Sequence, residues 1–501
     1  MAWKNQKEGI HSIYIPELKN KMTYLLNNYI KTNIYRSARA LNITVTALHE
    51  KILAYAYKYY QENKVGPLIY NFKKNLGISK TDLQKLFPYG LNSVYAWVGI
   101  PIQSTEQPCK SPVEIKAKDY RFVYLDNNAT TYVREEVAHI IKTYFSGKFG
   151  YANPSSSTIQ GKTASDIIQT ARMTIAQCFS CDTDEIIFTG SGSEANNTAI
   201  KGLVFQYLNQ PGHIITSKIE HSSILRTMEY LETLGFKITY LDVPESGVIK
   251  LKDIKNNIRE NTIFICVMAV NNEIGTISPI AEIGQYCQQM GIPFMVDAIQ
   301  ALGKIHLSPK EMGISMMSFS GHKIYAPKGV AGLFIDHDFN IVPLVHGGGQ
   351  ELGMRSGTEN VAYIKALAKA VKLAVQEREK EHKRIQELKD YFLTKMKNLK
   401  EEYIINGDLD QRIPNNISIG FRGVDTSALV LSLNSIGICV SAGSACSSGK
   451  NETSHVLKAI NADTTNYGSI RISFGLKTTH QDLDYFFKYL PEILTQLRKE
   501  K

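Results

Sequence analysis

Between residues 119 and 375, short apolar runs alternate with amphipathic stretches along the chain. The apolar runs have the length and composition of β-strands: EIIFTG, HIITS, KITYLDV, TIFICVMAV, PFMVDAI, SMMSFS and GVAGLFI. Several are separated by stretches with helical spacing, such as EANNTAIKGLVFQYL and SPIAEIGQYCQQMG. Strands that alternate with helices predict an α/β domain with a large, mostly parallel sheet. In such sheets, ligands bind at the carboxyl ends of the strands, where the loops carry the chemistry.

The chain on either side of this region has a different pattern. The charged stretch LAVQEREKEHKRIQELKDYFLTKMKNL predicts one long helix from about residue 375. It leads into a smaller α+β domain over residues 376–501. At the other end, TVTALHEKILAYAYKYYQEN and GPLIYNFKKNLGISKTDLQKLFP predict a small helical domain over residues 1–105, with Ser79 as a helix cap. Residues 106–118, rich in proline and polar side chains, predict a linker to the large domain at 119–375, whose first segment we expect to join the small domain.

The net charge of the chain is concentrated in its first quarter. The 501 residues, 43% of them hydrophobic, allow two or three domains and carry a net charge of +10. Residues 1–118 hold 17 Lys and Arg against 7 Asp and Glu, whereas residues 119–501 hold 40 of each sign. A basic module indicates an acidic partner such as RNA, or else a solvated, lysine-rich surface. The charge pattern alone leaves both interpretations open.

The apolar runs and the cysteines bear on where the protein resides. No run of 18 or more apolar residues is present, so we expect no membrane span. The N-terminus lacks the apolar stretch of a signal peptide. The seven cysteines are scattered and odd in number, which does not indicate a disulfide framework. We therefore expect a cytoplasmic protein with reduced thiols.

Three predicted loops at strand ends offer complementary chemistry. Asp297 ends the strand in PFMVDAI, and Lys323 follows another strand in SFSGHK. The loop GSGSEANN joins a strand to a helix and predicts an anion site made of backbone N–H groups. Each loop alone is commonplace. Together they match pyridoxal phosphate, which needs a lysine for its aldehyde, an acid for its ring nitrogen and donors for its phosphate.

Further candidates lie on three other loops. His221 follows a strand in SKIEHSS, and Asn271 and Asn272 follow another in AVNNEIG. Cys446 sits in SAGSACSSGK, a run of small residues that are poor builders of helix or strand interiors. A thiol in such a loop indicates a sulfur that has to move.

Residues from about 120 to 495 resemble the bacterial cysteine desulfurases of the NifS/IscS type, which are fold-type I pyridoxal phosphate enzymes related to class V aminotransferases. The resemblance rests on motifs in the family's order and at similar spacing: YLDNNATT, GSGSEANN, EHSS, NNEIG, VDAIQ, SFSGHKIYAPKG, MRSGTEN, GSACSSG, SHVLKAI and SIRISFG. It implies a large mostly parallel-sheet domain and a small α+β domain. It also implies a cytoplasmic enzyme that converts L-cysteine to L-alanine.

The resemblance also implies roles for individual residues. Lys323 would bind the cofactor aldehyde, Asp297 would pair with the ring nitrogen, and His221 would stack on the ring and handle protons. Gln300 and Asn272 would bond ring substituents, and Asn272 would also touch the substrate carboxylate. The phosphate would be held by a set of small or polar residues: Gly192, Ser193, Ser320 and His322.

Three further residues receive roles in substrate binding, catalysis and assembly from the same resemblance. Arg471 of SIRISFG would clamp the substrate carboxylate. Cys446 would be the nucleophile, whose thiolate takes the substrate sulfur and keeps it as a persulfide. Thr358 of RSGT would reach the phosphate of the other subunit, which implies a homodimer. No metal ion is expected at the site.

The first hundred residues resemble a different family, the DsrC/TusE sulfur carriers. The similar features are a helix ending in YYQEN, then GPLIYNFKKNLG, LQKLFPYG and VGIP. In that family a C-terminal arm ends in a reactive cysteine, and Cys109 of GIPIQSTEQPCK takes the corresponding place. The resemblance implies a relay from Cys446 to Cys109. The sulfur would then pass to an acceptor protein in iron–sulfur cluster assembly or tRNA thiolation, with a possible indirect association with tRNA.

Other functions remain open from the sequence. The enzyme domain is also compatible with a selenocysteine lyase or another class V cofactor enzyme. The N-terminal region is also compatible with a basic module that binds nucleic acid, and such a module controlled by a cofactor-binding domain would make the protein a non-enzymatic regulator. The presence of Lys323, Asp297, His221 and Cys446 argues against an inactive enzyme.

Overall fold

The computed structural model describes residues 34–35, 38, 43–63, 67, 69–87, 91–98, 120–146, 150–443 and 453–499. Two of the predicted functional residues, Cys109 and Cys446, lie outside these described residues. The chain forms two compact units, residues 1–110 and residues 111–501. Each unit is described by itself.

The described part of the first unit is helical. Its helices are α1 (Ala47–Asn63), α2 (Ile69–Leu76), α3 (Lys80–Leu86) and α4 (Leu91–Val98). Ser79 caps α3 as the sequence predicts, because its side chain accepts a hydrogen bond from the Asp82 N–H while the Asp82 carboxylate accepts one from the Ser79 N–H. The helices enclose a core of their own, in which the Phe87 ring packs against His49 and Trp97.

The second unit contains the strands and the remaining helices. Its strands are β1 (Val123–Tyr124), β2 (Ile186–Thr189), β3 (His213–Ser217), β4 (Lys237–Leu241), β5 (Thr262–Met268), β6 (Phe294–Asp297), β7 (Met316–Ser320), β8 (Ala331–Ile335), β9 (Tyr403–Ile405), β10 (Asn416–Arg422), β11 (Ile438–Cys439) and β12 (Tyr467–Ser473). Its helices are α5 (Glu135–Ser146), α6 (Ile159–Phe179), α7 (Gly192–Val204), α8 (Ser222–Thr233), α9 (Leu251–Lys255), α10 (Ile280–Met290), α11 (Val361–Gln376), α12 (Arg378–Asn398), α13 (Thr426–Ser435), α14 (His455–Ala459) and α15 (His480–Lys499).

The large sheet has seven strands in the order β2-β8-β7-β6-β5-β3-β4. Each of the seven apolar runs predicted from the sequence forms one of these strands. Only β8 runs against the others, since it pairs antiparallel with both of its neighbours. Apolar clusters cover both faces of the sheet, and its central strands are buried along their whole length. The expected α/β fold class is confirmed.

The second unit also contains two smaller sheets. Strands β9, β10 and β12 form an antiparallel sheet, and β1 pairs in parallel with β11. Val123 of β1 is therefore buried in the same core as residues of β10, β12 and α15. The long charged helix predicted from about residue 375 is confirmed as α12, which begins at Arg378 after a break in the helix at Glu377. Among the described residues, no helix is both long enough and apolar enough to cross a membrane.

Candidate active site

The carboxyl ends of three strands carry the central side chains of the site. Strand β6 ends at Asp297, and β7 leads into a short turn at Gly321–Lys323. His221 follows β3 and is the N-cap residue of α8. Both Asp297 and Lys323 lie near enough to act electrostatically on His221. The fold therefore brings together three residues that are distant in sequence, as the strand-end argument predicts.

Asp297 is a buried carboxylate held in a fixed orientation. One oxygen accepts a 2.9 Å hydrogen bond from the Asn196 amide, and the other accepts a 3.0 Å bond from the Ile299 N–H. Within the described parts of the chain, no lysine, arginine or histidine forms an ion pair with it. Because a buried charge is costly unless it is paired, the position calls for a cationic partner.

Lys323 directs its amine toward the segment that follows β1. Its Nζ donates to the backbone carbonyl oxygens of Asn128 at 2.6 Å and Ala129 at 2.7 Å. These bonds place the amine at the mouth of the same strand ends. The turn that carries Lys323 is also joined to that segment because the His322 carbonyl accepts from both the N–H and the hydroxyl of Thr131.

The two histidines of the site are held neutral by burial. Burial lowers the pKa of His221, and nearby Asp297 only partly opposes this. Nδ1 of His221 accepts the backbone N–H of Ser223 at 3.1 Å, so the neutral ring carries its proton on Nε2. Burial, with Lys323 adding to it, lowers the pKa of His322 to about 4. At neutral pH both rings can therefore donate or accept hydrogen bonds without carrying charge.

A second part of the site lies where β2 leads into α7. Gly192 begins the helix after the capping residue Ser191. A Cβ at Gly192 would lie 2.3 Å from Cδ1 of Ile299, so a larger residue there would displace the end of the Ile299 side chain. Ser320, at the end of β7, lies 3.4 Å from the same point, and Ser193 is exposed on the first turn of the helix. The hydroxyls and the N–H groups at the start of α7 are donors that an anion would use here.

Gln300 and Arg471 complete the site. Gln300 is buried, and its amide donates to the Asn128 carbonyl oxygen at 2.8 Å. Arg471, on β12, is almost fully buried and donates to Asp126 at 2.6 Å and to the Asn272 carbonyl oxygen at 3.0 Å. Its Nε has no partner among the described residues. A buried guanidinium with an unused donor suits a further carboxylate.

Comparison with known proteins identifies the relatives of this chain. A family model, aminotransferase class-V, matches residues 123–486. The "Cysteine desulfurase IscS" of Dictyoglomus turgidum is 45% identical over 379 residues, which are 75% of this chain and 96% of that relative. The chain belongs to the cysteine desulfurases of the class V aminotransferase family. Enzymes of this family use pyridoxal phosphate.

Solved structures agree with this assignment. A "NifS-like protein" has a TM-score of 0.71 at 35% identity, and the match covers 75% of this chain and 100% of that one. "SspA in complex with cysteine" has a TM-score of 0.63 at 36% identity, covering 70% of this chain and 98% of that one. Both matches carry the same fold as residues of the second unit.

The residues of this desulfurase fit pyridoxal phosphate. The protonated ring nitrogen would supply the cation that the buried, unpaired Asp297 lacks. The Lys323 amine would bind the aldehyde, and the Ser320 hydroxyl and the backbone at Gly192 would hold the phosphate. The donor set therefore suits the cofactor on structural grounds as well as by family.

Thr358, which is predicted to reach the phosphate of a second subunit, takes no part in the hydrogen bonds described above for the other site residues. It is exposed and makes no hydrogen bond to a described residue. The segment before it is nevertheless anchored. Arg355 donates to Glu194 at 2.6 Å, and Glu194 also accepts the Gly190 N–H, so the segment is fastened to the start of α7. The assignment of Thr358 to a second subunit stays a prediction.

The structure adds residues that the sequence argument missed. Asn196 donates at 2.9 Å both to Asp297 and to the Ser223 hydroxyl. Its spacing of four residues from Gly192 on α7, which places both on one helix face, was the available signal. Glu220 is fully buried beside the site, and burial raises its pKa to about 8. No local pattern marks Glu220 or Asn128, because Met268, Gln300 and Lys323 reach them from distant parts of the chain.

Proposed function

We propose that this protein transfers sulfur from L-cysteine to Cys446, releasing L-alanine and leaving a persulfide on the enzyme. The observation that carries the proposal is the convergence of the Lys323 amine, the neutral His221 ring and the unpaired Asp297 carboxylate at one end of the large sheet. The resemblance of SAGSACSSGK to the desulfurase loop supports the choice of Cys446, which lies outside the described residues.

Substrate binding falls to Arg471. Its side chain is buried at the edge of the cleft and is held by Asp126 and the Asn272 carbonyl, which fix the direction of the guanidinium. The unused Nε is a donor for the carboxylate of the amino acid substrate. A site formed in this way selects an α-carboxylate and leaves the side chain of the substrate free to face Cys446.

The protein groups then move protons and the sulfur atom. Pyridoxal phosphate, when bound, supplies an electron sink at the substrate Cα. The Lys323 amine and Nε2 of His221 are the groups that we assign to taking and returning protons. The Cys446 thiolate attacks the substrate sulfur, so an S–S bond forms as the substrate Cβ–S bond breaks. The electron pair goes to Cβ, which is protonated to give alanine.

The test uses the loaded wild-type enzyme and two variants. With L-cysteine and a reductant, wild type should release sulfide and alanine in equal amounts, and mass spectrometry without reductant should find persulfide on the Cys446 peptide. C446S should keep the yellow colour of the bound cofactor but form no persulfide, whereas K323A should lose the covalent attachment. Transamination without sulfide release by wild type would contradict the proposal.

We further propose that the first unit is a sulfur carrier of the DsrC/TusE type that receives sulfur at Cys109. What supports it is the sequence resemblance, the helical character of this unit and its separate core. Tethering a carrier to the enzyme raises the effective concentration of the acceptor to about the millimolar range without new contacts. The acceptor beyond Cys109 would belong to iron–sulfur cluster assembly or tRNA thiolation.

Substitution of Cys109 tests whether this cysteine receives sulfur from Cys446 or takes no part in the transfer. After L-cysteine is added, wild type should carry persulfide on both the Cys446 peptide and the Cys109 peptide. C109S should retain persulfide on Cys446 and pass less sulfur to an added acceptor. C287S, which changes a buried cysteine of α10, is the matched control and should leave the relay intact. Absence of label at Cys109 in wild type would refute the relay.

The enzyme is also proposed to act as a homodimer. The exposed Thr358, on a segment fastened by Arg355 and Glu194, is available to a second subunit. Light scattering should give twice the mass of the 56.2 kDa chain. T358A should weaken cofactor retention in both subunits while the dimer persists, and a monomeric active enzyme would contradict this assignment.

A further inference from the structure

A second lysine, Lys304, is bonded into the cofactor site. It lies four residues after Gln300, and its Nζ donates to Gln300 Oε1 at 2.8 Å. Nε2 of Gln300 donates to the Asn128 carbonyl oxygen at 2.8 Å, and the same oxygen accepts from the Lys323 amine at 2.6 Å. One line of hydrogen bonds therefore joins the two lysine amines through the Gln300 amide and the Asn128 carbonyl oxygen.

The Gln300 amide has little freedom in this arrangement. Its oxygen accepts from Lys304, and one of its two amide hydrogens is used by the Asn128 carbonyl. Only the second amide hydrogen is left for a cofactor oxygen. Because an ammonium or amine donates to Oε1, the bond with Lys304 holds the donor end of the amide toward the Lys323 side of the cleft.

The charge environment of Lys304 is unusual for a lysine. Burial, followed by the nearby charges of Lys323 and Arg471, lowers the pKa of Lys304 to about 7. Among the described residues, no carboxylate pairs with its amine. The charge of this lysine therefore changes within the neutral pH range.

A cavity lies against both lysines. It has a volume of about 90 Å³ and room for several water molecules. Its other ionisable groups are already committed: Glu377 binds Arg134 at 2.6 Å, Glu381 binds Arg384 at 2.9 Å, and the Tyr325 hydroxyl accepts the Leu476 N–H. Lys304 and Lys323 therefore line the same cavity, in which these other ionisable groups already have partners.

We propose that Lys304 is a positioning residue that fixes the donor orientation of Gln300 and sets, through its charge, the protonation of the cofactor-linked nitrogen of Lys323. The inference rests on the proposed function, which places the cofactor on Lys323. A charged Lys304 disfavours a proton on that nitrogen, whereas a neutral Lys304 does not. The charge of the Lys304 amine therefore affects whether the Lys323 nitrogen holds a proton.

The experiment is a pH titration of the visible band of the bound cofactor in K304M, K304R and wild type. K304M is never charged, so the apparent pKa of the band should rise by about one pH unit. K304R is always charged, so the apparent pKa of the band should fall. K255M, which removes a lysine that packs on the Tyr286 ring, is the matched control and should titrate like wild type.

The possible outcomes separate the inference from the proposed function. If wild type binds no visible cofactor after reconstitution, the proposed function fails. If wild type titrates but K304M and K304R both match it, the role of Lys304 is overturned and the proposed function stands. Should K304M not fold, K304R alone decides, because a structural role predicts no downward movement of the titration.

Discussion

Glu273 accepts a 2.5 Å hydrogen bond from the Ser454 hydroxyl although its carboxyl group is almost completely buried. Burial raises the pKa of Glu273, and its second oxygen has no partner among the described residues. Its bonded oxygen also lies 2.7 Å from the place where a Cβ would stand at Gly443, whose φ is +107°. One buried acid therefore lies close to Gly443 and bonds Ser454, which stand on either side of the segment carrying Cys446.

This relationship predicts different effects for two substitutions at Glu273. E273Q keeps an oxygen for the Ser454 hydroxyl and removes the cost of a buried charge, so its free energy of unfolding should change by less than about 1 kcal/mol. E273A removes the acceptor and leaves a cavity, which should cost about 2–4 kcal/mol and lower the persulfide yield at Cys446. Denaturant melts and mass spectrometry measure both. If E273Q is as damaging as E273A, the carboxylate charge is what matters.

Asn196 is predicted to act through Asp297. N196A removes the side-chain donor of a buried carboxylate and also frees the Ser223 hydroxyl. Since a hydrogen bond to a charged group contributes about 1.5–3 kcal/mol, kcat for L-cysteine should fall by roughly 10- to 100-fold and the visible band of the cofactor should move. N257A, which removes an amide bonded to the Asp253 carbonyl oxygen, is the control and should remain within about twofold. Equal losses in the two variants would contradict the prediction.

Arg471 is predicted to determine KM. R471K replaces a planar fork with a point charge, so the KM for L-cysteine should rise by about 10- to 100-fold while cofactor binding persists. Steady-state kinetics and the cofactor absorbance measure the two effects. Arg412 is a buried arginine whose bonds go to backbone carbonyls, and R412K should reduce stability without raising KM. An unchanged KM in R471K would place the substrate carboxylate elsewhere.

Glu220 predicts how stability depends on pH. Its pKa rises from 4.5 to about 8 in the folded protein because of burial, although the Ser217 hydroxyl and the Met268 N–H donate to one oxygen. The unfolded chain loses this proton first, so the contribution of Glu220 to stability is present below pH 4.5 and is lost as pH rises toward about 8. The loss amounts to about 1.4 kcal/mol for each pH unit in that window.

The substitution E220Q should remove this pH dependence. The amide oxygen can accept the same two hydrogen bonds, and the group no longer ionises. Relative to wild type, E220Q should therefore gain more stability at pH 8 than at pH 5, as measured by denaturant melts. E282Q, at an exposed position of α10, is the control. A parallel pH profile for E220Q and wild type would show that Glu220 is not the source.

Local pattern was sufficient for much of the fold. Runs such as PFMVDAI and SMMSFS are apolar for the length of a buried strand, so β6 and β7 follow from composition and length. The helix cap at Ser79 could also be predicted from the sequence, because a capping box is a short-range signal. The helix break at Glu377 could not be predicted, since the sequence on both sides has helical spacing and no proline or glycine marks the end of α11.

The sequence by itself determined which strands form the large sheet and that Asp297, Lys323 and His221 meet at its carboxyl edge, because parallel strands align their ends. Only the tertiary structure decided that burial raises the pKa of Glu220 and Glu273, that Asn196 orients Asp297 and that Lys304 lies near the charges of Lys323 and Arg471. The physical reason is that burial and charge depend on neighbours from distant parts of the chain. The local sequence around an affected residue has no pattern that predicts these neighbours.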